Sequence, residues 1–290
     1  MRLATISSDG RSFSALIVDD GYVDLTAHIA NPPADMQELI LRWDDLRQEV
    51  ADLANSPADG SLQDIVLEAP LARPGKIFAI GLNYADHCEE TGMDLPTEQI
   101  WFTKATSAVN GPFSPVAIPA VSDSLDYEAE MVAVIGKTCR NVPADRFADV
   151  IFGYATGNDF SVREWQIETS QWSLGKSFDT TAPFGPWITT GDAIDPDNLA
   201  ITCEVNGEVR QNSNTRHLVF KMGDMIAKLS NAMTLEPGDI IFTGTPGGVG
   251  MMWKGEPHYL KTGDRVRCEI EELGVIENMI SAGSATTQII

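Results

Sequence analysis

The chain has 290 residues, 43% of them hydrophobic, enough to bury a large core in one big domain with room for a small appendage. A formal net charge of −22 repels phosphate backbones and anionic lipids, so neither nucleic acid nor membrane is expected as a partner. No apolar run approaches the roughly 20 residues that cross a bilayer, and the first residues lack a signal-type stretch, so a cytoplasmic location is expected.

Residues 1–68 read as a small N-terminal domain. Short strands at Arg2–Ile6, Ser14–Val18 and Tyr22–Leu25, broken by turn residues, predict a β meander. Met36, Leu39, Ile40, Trp43, Leu46, Val50 and Leu53 recur at three- and four-residue steps and predict one amphipathic helix of about five turns. The polar segment Asn55–Gly60 and the prolines Pro70 and Pro74 lead into a second unit, residues 69–290. There, β-type segments dominate: KIFAI, IWFTK, MVAVIG, PWITTG, AITCEVNG, DIIFTG and RVRCEI. Beyond a short helix within Gly81–Gly92, helical patterning of any length appears only at Ala144–Val150 and Leu218–Asn231. The fold class is therefore α+β and β-rich. The tail, residues 281–290, reads either as a final strand or as a loosely held end. Cys88, Cys139, Cys203 and Cys268 form no CxxC pair and read as separate reduced thiols in or near the core.

Leu125–Val134 carries Asp126, Glu128 and Glu130 at alternate positions, which a strand places on one face. Such a face is either solvated or, if buried, in need of a counter-cation, because an uncompensated buried charge costs on the order of several kcal/mol. Asp159, at the end of the apolar run after Ile151, can complete an all-oxygen site, which suits Mg²⁺ or Mn²⁺ better than Zn²⁺. A bound cation would also give an acidic protein the positive charge that an anionic substrate requires. Gly81–Gly92 predicts a short helix closed by Gly92, with His87 and Glu90 on one face, either as a proton-abstracting pair or as a surface ion pair. Lys176 lies in an otherwise small and apolar stretch, where it can steady an oxyanion or simply face solvent. In Thr243–Gly250 the glycines allow successive backbone N–H groups to converge on a carboxylate, and the loop matches neither the P-loop nor the dinucleotide fingerprint.

In order and spacing, GLNYADHCEE, DYEAEMVAVIGK, GYATGNDFSVREWQ, LGKSFDTTAPFGPW and LEPGDIIFTGTPGGVG resemble the fumarylacetoacetate hydrolase family, over about Lys76 to Glu277. The resemblance implies a mixed β-roll that forms homodimers and holds Mg²⁺ or Mn²⁺ through Glu128, Glu130 and Asp159. In its acylpyruvate hydrolase branch a lid helix carries the pair that falls here on His87 and Glu90. It further assigns Lys176 to catalysis, and Gln166, Thr245 and Gly244 to substrate binding. A tyrosine that the eukaryotic members use for substrate is replaced here by the stretch Ile167–Ser170, which argues against fumarylacetoacetate itself.

The activity this implies is hydrolysis of a carbon–carbon bond in a small 2,4-dioxo acid, by water that His87 deprotonates while Glu90 orients the ring, through an enolate steadied by the cation and Lys176. Decarboxylation of an oxaloacetate-type acid and isomerisation of a hydroxymuconate-type acid pass through the same enolate and remain alternatives. A non-catalytic protein stabilised by a structural cation is a further alternative, but it has no use for His87, Glu90 and Lys176.

Overall fold

A strand that is apolar on both faces has to be covered on both sides. In the computed structural model, which describes residues 1–92, 94–287 and 289, Ala129–Ile135 is such a strand and every residue of it is buried. In chain order the main elements are β1 (Arg2–Ser8), β2 (Arg11–Val18), β3 (Gly21–Asp24), α1 (Met36–Leu41), α2 (Trp43–Asp52), β4 (Ile77–Gly81), α3 (Ala85–Thr91), β5 (Ile100–Thr103), β6 (Ala129–Ile135) and β7 (Ile151–Asn158). Then come α4 (Arg163–Ile167), β8 (Ala182–Thr190), β9 (Ala200–Val205), β10 (Glu208–Asn214), α5 (Met222–Ala232), β11 (Ile240–Phe242), β12 (Arg265–Ile270) and β13 (Gly274–Ala282).

Nine strands of a twelve-stranded mixed sheet run β3-β2-β1-β8-β7-β6-β11-β4-β5, with β11 and β4 parallel and their neighbours antiparallel, and the two-residue strands Gly60–Ser61, Val66–Leu67 and Val109–Asn110 pair with β3, β1 and β8. A five-stranded sheet, β10-β9-β12-β13 with Val116–Ile118, lies beside it. Ala129, Met131, Ala133 and Ile135 of β6 enter the core shared with the second sheet and α5, while Val132 and Val134 enter the core shared with α1, α2 and the N-terminal strands. That two-sided burial is why β6 reads as a continuous apolar run. The β-rich α+β class expected from the sequence is thus the class observed. β1 pairs with β8, Leu3 opposite Ile188, so main-chain hydrogen bonds join residues 1–68 to the rest.

Some expectations need correction. The single five-turn helix is two, because Arg42 leaves helical geometry at φ −103°, ψ 15° between α1 and α2. Ala144–Asp149 is a 3₁₀ segment, and α5 starts only at Met222. The tail contributes Ser281 and Ala282 to β13, and Gln288 and Ile290 of that tail lie outside the described residues. Cys203 and Cys268 are not separate: they face each other across β9 and β12, with Sγ atoms 3.7 Å apart.

Candidate metal centre and active site

The β6–β7 register sets Ala129 opposite Asn158 and Glu130 opposite Gly157. Two further bonds fasten the strand ends: Glu128 N–H donates to Asn158 Oδ1 at 2.8 Å, and Asp159 N–H donates to the Glu128 carbonyl at 2.8 Å. Glu128, Glu130 and Asp159, all buried, thereby bring one carboxylate oxygen each to within 4.8 Å of one another. Asp126 does not join them, contrary to simple strand alternation. Leu125–Asp126 breaks away to pair with Ser161–Val162, and Asp126 accepts from Arg163 Nε at 2.8 Å, Gly250 N–H at 2.7 Å and Met251 N–H at 2.9 Å.

Three buried cations surround the acids. Lys176 Nζ donates to Glu128 Oε2 at 2.6 Å and to Asp159 Oδ2 at 2.8 Å. Lys104 Nζ donates to Asp159 Oδ1 at 2.5 Å. Arg163, tied to Asp126, also reaches Glu128 Oε1 at 2.7 Å and Gln166 Oε1 at 2.8 Å. Burial alone would raise Glu128, but Lys176 and Arg163 outweigh it and hold its carboxyl well below the usual range. Glu130 goes the other way: burial, followed by the charges of Asp159 and Glu128, pushes it well above. Burial lowers Lys104, whereas at Lys176 the charges of Asp159 and Glu128 overcome burial and raise it.

Four carboxylates face three cations here, so the ionised cluster keeps one excess negative charge. Hard oxygen donors with an uncompensated charge fit a divalent cation, and one such ion would turn the local balance positive, as an anionic substrate requires.

The helix α3 stands over this centre. Asn83 fixes its start, donating to the Thr243 and Phe220 carbonyls at 2.9 and 3.1 Å, and Gly92 closes it at φ 66°. His87 and Glu90 come together as expected, Nδ1 to Oε2 at 3.6 Å. The glycine loop, however, spends its N–H groups on the protein's own acids. Gly244 donates to Glu130 Oε2 at 2.7 Å, Gly247 to Asp86 Oδ1 at 3.4 Å and Gly248 to Glu90 Oε2 at 2.8 Å. The Thr245 hydroxyl donates to the Ala129 carbonyl and accepts from Gln211.

A cavity of ≈ 50 Å³ opens onto the centre, lined by the polar side chains of His87, Glu128, Glu130, Arg163, Gln166, Lys176 and Thr245 and by the apolar ones of Ile80, Phe102 and Trp172. It is far smaller than the roughly 300–1,000 Å³ of ordinary ligand clefts. Sequence reasoning missed Lys104, Arg163, Phe102 and Trp172. Arg163 carried a signal, since it sits three residues before Gln166 on what became α4. Lys104 and Phe102 carry no such signal, since the sequence shows them only as parts of the IWFTK strand.

The profile of the Fumarylacetoacetate (FAA) hydrolase C-terminal family matches residues 76–281. The chain belongs to the fumarylacetoacetate hydrolase family. Within that family it is 44% identical to the oxaloacetate tautomerase fahd2, mitochondrial, of Xenopus laevis, over 89% of this chain and 82% of that one. The structure of maleylpyruvate hydrolase from Sphingobium sp. SYK-6, in complex with manganese(II) and pyruvate, superposes with a TM-score of 0.83 at 36% identity, covering 98% of this chain and 100% of that one. The 5-carboxymethyl-2-hydroxymuconate delta-isomerase of Mycobacterium smegmatis superposes at 0.78 with 34% identity, over 98% and 100%. Fumarylacetoacetate hydrolase family members of known structure thus share this fold over its whole length.

Proposed function

We propose that this chain is a Mg²⁺- or Mn²⁺-dependent enzyme that interconverts the keto and enol forms of a short 2-oxo dicarboxylic acid of the oxaloacetate type. The observation that carries this reading is the small cavity of ≈ 50 Å³, set against Glu128, Glu130 and Asp159 and lined by three further polar donors, Arg163, Gln166 and Lys176. So small a space favours a compact acid over a long 2,4-dioxo acid with an attacking water. The name of the Xenopus relative supports the same choice.

In this reading Glu128, Glu130 and Asp159 hold the cation, which supplies Lewis acidity to the 2-oxo acid when bound. Lys176, already in contact with Glu128 and Asp159, steadies the negative charge on the substrate's enolate oxygen. Glu90, its Oε2 3.6 Å from Nδ1 of His87, orients the ring so that Nε2 takes a proton from C3 of the keto form while the enolate oxygen gains one to give the enol, and the reverse direction returns a proton to C3 as the enol oxygen loses its own. The amide nitrogen of Gln166 and the guanidinium of Arg163 meet the second carboxylate. Thr245, which lines the cavity, and Gly244 meet substrate as the resemblance implies, and they also hold the Ala129 carbonyl and Glu130.

A second reading keeps the carbon–carbon hydrolase, favoured by the His87–Glu90 pair, which can as well deprotonate water, and by the likeness to maleylpyruvate hydrolase. Loss of enol absorbance from oxaloacetate, followed with Mg²⁺, Mn²⁺ or EDTA and paired with NMR of the products, separates the readings. Metal-dependent tautomerisation without pyruvate supports the first. Pyruvate plus a second acid from an acylpyruvate replaces it with the hydrolase, and pyruvate plus CO₂ with a decarboxylase.

We also propose a homodimer, tested by light scattering. Among the described residues no helix is long and apolar enough to cross a membrane, and the Xenopus relative is named as mitochondrial, so the cytoplasmic location is a proposal for fractionation to test.

A further inference from the structure

We propose that Trp172 sets the length of the 2-oxo acid that the site accepts, admitting chains of about four carbons and excluding longer ones; this rests on the 2-oxo-acid reading above. The cavity is lined by the polar Glu128, Glu130, Arg163, Gln166 and Lys176 and by the apolar Ile80, Phe102 and Trp172. An acid held at the cation by its carboxylate and 2-oxo group, and by Arg163 and Gln166 at its second carboxylate, has the aromatic pair as the neighbour that a longer chain would meet.

The Trp172 ring has little freedom to retreat. It lies so close to the backbone of Gly81 that a Cβ there would stand 2.2 Å from Cζ3, inside any real contact. On another side it meets Phe102 edge-on, centroids 5.6 Å apart at 60°. Phe102 in turn is nine-tenths buried, with Lys176 Nζ 5.0 Å from its ring centre. The main chain of Trp172 is fixed as well, since its carbonyl accepts the Lys176 N–H at 3.2 Å, while Gly175 presses against the Gln166 backbone. The wall is thus registered to the two polar side chains that face the acid. Glu168, Thr169, Ser170 and Gln171, just before it, are exposed, and Trp172 itself is half-buried. A rigid apolar wall discriminates by about 10–200-fold per methylene that does not fit.

The test is calorimetric binding of oxaloacetate, 2-oxoglutarate, 2-oxoadipate and 2-oxopimelate, with four to seven carbons, to the Mn²⁺-loaded protein, as wild type, Trp172→Phe and Trp172→Ala. Mn²⁺ affinity and melting temperature serve as controls on folding. We expect the wild-type affinity to fall at least 10-fold between four and six carbons, the fall to vanish in Trp172→Ala, and Trp172→Phe to lie between. If Trp172→Ala does not fold, the shift of the cut-off in Trp172→Phe decides. A variant that keeps the wild-type cut-off, or loses all four acids in parallel, overturns the proposal. Wild type that binds every length alike overturns it and leaves the 2-oxo-acid reading standing, whereas wild type that binds none of them overturns both.

Discussion

The backbone N–H of Gly244 donates to Oε2 of Glu130 at 2.7 Å, so the glycine-rich loop holds a member of the acidic triad. Glutamine at position 130 keeps that acceptor and removes the charge. Glu130→Gln should weaken Mn²⁺ binding by about 100-fold yet raise the melting temperature of the metal-free protein by about 2–4 °C, the shift expected for relief of ~1 kcal/mol of like-charge repulsion. Calorimetry with differential scanning checks both. Unchanged Mn²⁺ affinity with a lower melting temperature would remove Glu130 from the cation site.

The same carboxyl gives a pH dependence. Its folded pKa lies above the ordinary 4.5, so between those two values the folded state binds more protons than the unfolded one. Metal-free stability should therefore increase as pH falls through the raised folded value and level off below about 4.5 as far as Glu130 is concerned. Glu128, held down to about 2, contributes stability that is lost only at much lower pH. Denaturant unfolding in EDTA from pH 7.5 to 5 should show this slope in wild type and a shallower one in Glu130→Gln. Equal slopes would mean that another group titrates.

Glu90 links two functions, because one oxygen both accepts the Gly248 N–H and faces His87. Glu90→Gln preserves an acceptor for Gly248 and should lower kcat by about 10-fold with little change in melting temperature. His87→Asn should cost about 10²–10⁴-fold in kcat, the range for general-base catalysis. Should Glu90→Gln retain wild-type kcat, Glu90 has only the structural role.

Gly175→Ala introduces a Cβ 2.3 Å from the Gln166 nitrogen, and backbone cannot step aside as a flexible side chain would. The expected loss is about 1–3 kcal/mol of stability, together with a raised KM, since Gln166 and Lys176 flank the contact. A variant with wild-type stability and KM would show that this turn is more pliant than the packing implies.

Thiol labelling probes the core. Burial first, then the neighbouring Cys268, pushes the Cys203 thiol far above its ordinary value, and both residues are fully buried. Cys139 is raised too, by burial and Asp239, but keeps some exposure. Iodoacetamide on native protein at pH 8 should label Cys139 while leaving Cys203 and Cys268 unmodified, as read by peptide mass spectrometry. Early labelling of Cys203 or Cys268 would show that the β9–β12 contact opens readily.

Much of this was legible in local sequence because local physics decides it. Apolar runs such as MVAVIG and DIIF became β6 and β11, and Gly92 closed α3 as its freedom at positive φ allows. The triad, His87, Glu90 and Lys176 were readable as ordered motifs. What stayed hidden depends on distant partners. Asp126 was diverted by Arg163, 37 residues away, and Cys203 met Cys268 across 65 residues through strand register. Trp172 gained its place only from Gly81 and Phe102, elements that no local pattern connects to it.

The most direct test of the central claim is the metal dependence of enol-to-keto conversion of oxaloacetate in chelator-treated wild type and Asp159→Asn. Asp159 is the acid that both lysines contact, so its amide should cost the site its cation. The account predicts that Mn²⁺ restores at least 100-fold acceleration to wild type and little to Asp159→Asn. Equal conversion by both proteins in EDTA would contradict it.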